Sequence, residues 1–122
     1  MKFSLLSLLV MFSLTLVSAS GQSMIEMKHA AQRDFEKADA ELNTVYKQVL
    51  TQLSPKGTAA LKEAQRAWVV FRDKTAEAYG TGEEGGSLEG LMYIRCLEAI
   101  TQNRTKELKK LFLSDHYHID HR

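Results

Sequence analysis

Three histidines crowd one end of this chain, in Asp115-His116-Tyr117-His118-Ile119-Asp120-His121. Imidazoles and carboxylates are zinc-type ligands, and at this spacing they can reach one ion. A working metal centre also needs its ligands held in fixed geometry by a supporting shell. No hydrophobic periodicity holds this stretch, so residues 114–122 read as a mobile, solvated tail and no metal is expected. Gly82 to Ser87 resembles a phosphate loop only in its glycines. It lacks the lysine and spacing of a P-loop, follows no strand, and carries Glu83 and Glu84, which repel anions. His29 stands alone, with no serine or cysteine arranged around it as a nucleophile. The carboxylates on the helices alternate with Lys and Arg, as on a solvated face. The residues therefore give no catalytic set and no cofactor.

The densest chemistry lies in Gln65-Arg66-Ala67-Trp68-Val69-Val70-Phe71-Arg72-Asp73. Arg72 follows Trp68 by four residues, so the two share a helix side. One reading is structural: arginines beside a buried aromatic pair with carboxylates of a neighbouring helix, here Glu41, Asp39 or Glu98. The other is a recognition patch, because Trp and Arg are favoured binding anchors. On that reading Arg66, Trp68, Arg72, Asp73 and Arg104 form the partner-binding set, together with Gly85, Gly86 and Ser87 of the glycine-rich connection.

Helices must position these groups. Phe35, Ala38, Leu42, Val45, Val49 and Leu53 recur at steps of three and four, which predicts a first helix from about Ser23 to Leu53 with frayed first turns. Ser54-Pro55-Lys56-Gly57 breaks it: serine caps a new helix and proline suits its first position. The second helix runs to Tyr79, with a seam of Leu61, Ala64, Trp68, Phe71, Thr75 and Ala78. Gly80 to Gly86 cannot hold a helix. Ser87 then caps a third helix, from Leu88 to about Leu113, whose apolar residues include Leu91, Tyr93, Ile94, Leu97, Ile100, Leu108 and Leu111. No segment alternates with period two. The expectation is an all-α domain over residues 20–113, an up-down-up three-helix bundle or a helical hairpin with a third helix packed on it.

Lys2, an apolar run from Phe3 to Val17 and the small residues Val17-Ser18-Ala19 spell a cleavable signal peptide over residues 1–19. Its apolar run, about 15 residues, is shorter than the roughly 20 that span a bilayer. No cysteine sits at the cut to carry a lipid. The expected location is therefore periplasmic or secreted, with no stable membrane insertion after cleavage. Of 122 residues, 103 remain once 19 are removed, and their 15 basic and 15 acidic side chains balance. That balance removes the electrostatic pull on which nucleic-acid binding relies. A single cysteine, Cys96, excludes an internal disulfide. Its neighbours Ile94, Leu97 and Ala99 favour burial, and the alternative is an intermolecular bond, so a monomer or a weak dimer is expected.

Ala38-Asp39-Ala40-Glu41-Leu42-Asn43-Thr44-Val45-Tyr46, then Leu61 through Asp73, then Gly85-Gly86-Ser87, then Cys96 with Thr101, Arg104 and Leu108 follow an order and spacing that resembles one family. That family is the LprI-like lysozyme-inhibitor domain family of small exported bacterial proteins, and the likeness covers roughly residues 24–112. The resemblance implies an all-helical periplasmic or secreted domain without enzymatic activity. It implies lysozyme or another envelope protein as partner, since at least one member is described as a lysozyme inhibitor. It also implies cysteines where this chain has Ala30 and Ala76, and a partner for Cys96 on the second helix. Losing a disulfide costs a small secreted domain about 2–5 kcal/mol, so packing must compensate here. Two roles follow: cleft occlusion of a lysozyme-type muramidase, with Gly80–Ser87 as the projecting element and Arg66, Arg72 or Arg104 meeting acidic groups, or a general envelope module that binds another protein or a small ligand.

Overall fold

The computed structural model describes residues 15–80 and 87–115. They form α1 (Thr15–Leu50), α2 (Pro55–Gly80), α3 (Ser87–Leu108) and a π-helical turn, Lys109–Leu113. No strand occurs among them. Residues 1–14, most of the expected signal peptide, lie outside the described residues. So do the loop glycines Gly85 and Gly86 and the histidines 116, 118 and 121.

One stripe holds α1 to the bundle: Ala31, Ala38, Leu42, Val45 and Val49, each at most 5% exposed. The helix begins at Thr15, well before the expected start at Ser23, and ends at Leu50 rather than Leu53. Residues 51–53 tighten instead into i→i+3 bonds, in which the Thr51, Gln52 and Leu53 N–H groups donate to Gln48, Val49 and Leu50. Ser54 then caps α2. Its Oγ accepts the Gly57 N–H at 3.1 Å and its carbonyl accepts the Thr58 N–H at 2.8 Å. Pro55 occupies the first position, where its missing N–H costs nothing.

The third helix packs on both others. Its pairing with α1 is parallel, since Asp34 meets Arg95 and, further along both helices, Glu41 meets Lys109. Leu42, Val45, Val49, Leu61 and Leu108 make the core, with Tyr46, Leu50, Leu53, Trp68, Phe112 and Leu113 packed around it. Fully burying each aliphatic side chain contributes about 1.5–3 kcal/mol. This is the three-helix bundle expected from the sequence.

Three details of that expectation change. The seam of α2 is rotated: Leu61, Gln65, Trp68, Arg72 and Ala76 lie inward or half-buried, whereas Ala64, Phe71 and Ala78 are exposed. Gly80 belongs to α2 and is buried, because a Cβ there would come within 3.2 Å of the Tyr93 Cβ. A side chain there would press on Tyr93 by a few tenths of an ångström, so glycine suits this close approach of α2 and α3. Finally, α3 ends at Leu108. A regular helix would carry Leu111 round to the core, but the wider π turn brings Phe112 and Leu113 instead and leaves Leu111 39% exposed.

Candidate functional site

The inward face of α2 carries a stack of alternating rings and cations. The Arg72 guanidinium lies 5.6 Å from the Phe35 ring centre and 5.2 Å from that of Trp68. Arg104, from α3, lies over Trp68 at 5.9 Å. All three helices thus contribute to one column, Phe35–Arg72–Trp68–Arg104. Guanidinium is planar and weakly hydrated, so it stacks where an ammonium would not. Each such contact contributes about 0.5–2 kcal/mol.

Hydrogen bonds fix both cations. Arg72 donates through Nε to Asp73 Oδ1 at 2.9 Å and through a terminal nitrogen to Asp39 Oδ1 at 3.5 Å. Arg104 donates through Nε to Gln65 Oε1 at 3.1 Å and through a terminal nitrogen to Glu107 Oε2 at 2.6 Å. Their side chains are only 13% and 11% exposed. Of the three carboxylates offered to the arginines, Asp39 is the one that Arg72 meets. Glu41 is taken by Lys109 and Glu98 by Arg95.

Arg66 lies elsewhere. It is exposed, with no ion-pair partner among the described residues, and it borders an open groove of about 330 Å³ between α1 and α2. Tyr46, Lys62, Gln65 and Val69 line the rest. Lys62 and Arg66, one helical turn apart, make the rim cationic. The Tyr46 ring and Val69 supply apolar surface. Gln65 links this groove to the stack through its bond to Arg104. Such an arrangement can receive a carboxylate, bidentate on Arg66.

The remaining polar groups hold the scaffold. Lys109 donates to Glu41 at 2.9 Å and holds that carboxyl below its usual range. Arg95 bridges Asp34 and Glu98 at 2.8 and 2.7 Å, and Glu77 raises the Lys74 ammonium. Cys96 is a half-buried free thiol whose ionisation burial pushes up. Ala76, where the family resemblance implies a cysteine, is fully buried. Thr101 is buried, and its hydroxyl has no hydrogen-bond partner among the described residues. No group of three or more His, Cys, Asp or Glu among the described residues can hold a metal ion. No helix among them is long and apolar enough to cross a membrane.

Of the sequence-derived set, the structure unites Trp68, Arg72, Asp73 and Arg104 in and around the stack and puts Arg66 on the groove. Ser87 opens α3, and Gly85 and Gly86 lie outside the described residues. Sequence reasoning missed Phe35 as a stacking partner, and Tyr46, Lys62 and Val69 as groove walls. The spacing Lys62–Arg66–Val69 was the available signal, one stripe at steps of four and three. Nothing local in the sequence pointed to Tyr46.

A family model described as lysozyme inhibitor LprI matches residues 17–108. An uncharacterised protein of Rhizobium meliloti (strain 1021) is 35% identical, over 75% of this chain and 76% of its own. No solved structure matches.

Proposed function

Because this chain belongs to the LprI lysozyme-inhibitor family, we propose that it is a non-enzymatic binding protein that inhibits a lysozyme-type muramidase by occluding its cleft. One observation supports this reading: Arg66, with Lys62, is an exposed cation on a preformed groove and has no ion-pair partner among the described residues. Glycosidases that cleave such polymers work with paired carboxylates in a cleft. A guanidinium aimed there meets a complementary charge. The stack behind α2 keeps the helix rigid, so little ordering entropy opposes association. On the same reading Gly85, Gly86 and Ser87, in the connection that follows the other end of α2, would make a second contact with the enzyme. Export fits the same role, with residues 1–19 as a signal peptide cut after Ala19 and the domain released to the periplasm or the medium.

The test is an inhibition assay of lysozyme on cell walls with the purified protein. Inhibition is expected, and the double variant Lys62→Glu/Arg66→Glu should weaken it at least tenfold, equivalent to about 1.4 kcal/mol. No inhibition at micromolar excess overturns the reading for that enzyme. Equal inhibition by the variant moves the contact away from the groove.

A further inference from the structure

The outer side of α2 carries an apolar stripe of its own. Val70 is 62% exposed and Phe71 59%, and Ala60, Ala64 and Ala67 are exposed beside them. Ala60, Ala64, Ala67 and Phe71 follow steps of four, three and four, so they form one stripe along the helix. Exposed aromatic and aliphatic groups in a contiguous patch mark an interaction surface. This flank lies away from the Lys62–Arg66 groove, which occupies the other side of the same helix.

We infer that this stripe pairs with the same stripe of a second copy, the two α2 helices running antiparallel about a two-fold axis near residue 69. The pattern of sizes and charges selects that occupant. About an axis there, Phe71 of one copy lies level with Ala67 of the other, so a large ring meets a small methyl in both halves of the interface. Glu63 and Lys74 lie eleven residues apart, about three turns and 16 Å along the helix. The antiparallel arrangement brings Glu63 of each copy to Lys74 of the other, twice. Parallel pairing would set Lys74 against Lys74, Glu63 against Glu63 and ring against ring. Within one chain Glu63 has no ion-pair partner among the described residues, whereas Lys74 holds Glu77 at 2.7 Å. Lys74 then bridges two carboxylates in the pair, one from each copy.

Size sets the strength. The 26-residue helix is about 39 Å long, and a face about 10 Å wide offers roughly 400 Å² per copy. A stable interface takes about 800 Å² per partner. The pair is therefore weak and transient. A two-fold dimer of this kind carries two Lys62–Arg66 grooves on its outer sides, so it presents two binding sites to an extended target.

Sedimentation equilibrium of the purified protein under reducing conditions tests the pairing, since reductant removes any bond through Cys96. A reversible dimer is expected, abolished by Phe71→Glu. Glu63→Lys and Lys74→Glu should each weaken association about tenfold, and the two together should restore it to within about threefold. Circular dichroism serves as the folding control, because all three positions lie on the outer side of α2. A protein that stays monomeric to about 1 mM overturns the inference. So does a dimer that survives Phe71→Glu, or a double charge exchange that recovers nothing. Muramidase inhibition by the dilute monomer is a separate measurement, so either result stands without the other.

Discussion

Arg72 and Phe71 are neighbours in sequence and have exchanged the places their chemistry suggests. Arg72 faces inward with 13% of its side chain exposed, and Phe71 faces outward at 59%. The inner face of α2 is built from a cation between two rings, and the outer face from a ring among methyls. The difference teaches that a helix's apolar arc does not by itself point to its core. Arg72 can be buried because its stem is aliphatic and its flat head finds aromatic faces and carboxylates. Phe71 can be exposed because α2, at the edge of a three-helix bundle, has more apolar circumference than α3 and α1 cover.

The largest expected effect falls on the inner face. Trp68→Ala removes the ring shared by Arg72 and Arg104 and should cost about 3 kcal/mol in denaturant unfolding. Sharper still is the matched pair of truncations. Arg72→Ala should cost about 2 kcal/mol, since it removes two ring contacts and a packed stem, while Asp39 and Asp73, 43% and 44% exposed, stay solvated. Phe71→Ala, measured on dilute protein, should cost under about 0.5 kcal/mol. Equal costs would break the comparison. Within the buried layer, Thr101→Val exchanges an unpaired hydroxyl for a methyl of the same shape and should raise stability by about 1 kcal/mol. A lower melting temperature for that variant would show the hydroxyl to be satisfied in solution.

The smallest effect lies at the exposed rim, at Glu41 and Lys109. Lys109 lowers the Glu41 pKa in the folded state. Folding gains from this pair above the ordinary carboxylate range, and the gain is lost as pH falls through the depressed folded value. By NMR titration Glu41 should protonate below the usual midpoint, and Lys109→Met should return it there. High salt should weaken the shift, as for any solvent-exposed pair.

How much of this was legible follows the same division. Ser54-Pro55 announced the start of α2, because capping and a fixed φ act within a few residues. The stripe of Ala38, Leu42, Val45 and Val49 announced the buried side of α1, because α1 has one apolar face. The second helix has a wider apolar arc, and counting hydrophobic residues placed its seam midway between the two faces. That error left Gln65 and Arg72, the inward polar residues, out of the seam and sent Phe71 to the core. The π turn was illegible for a related reason, since Leu111, Phe112 and Leu113 are all apolar and only packing decides which of them turns inward. At the site, an ion pair for Arg72 was foreseen, with Asp39 as one of three candidate carboxylates, because opposite charges in a helical domain leave few partners. Tyr46 was not, because the groove forms across two helices.

Trp68 is the only tryptophan in the chain, and two guanidinium groups stand over it. Its fluorescence therefore reports on one place, and the field of both cations tunes its emission colour. Arg104 touches Gln65, and Gln65 walls the Lys62–Arg66 groove. A carboxylate bound there, as the proposed function requires, is therefore expected to shift that emission, an occupancy signal readable without a label.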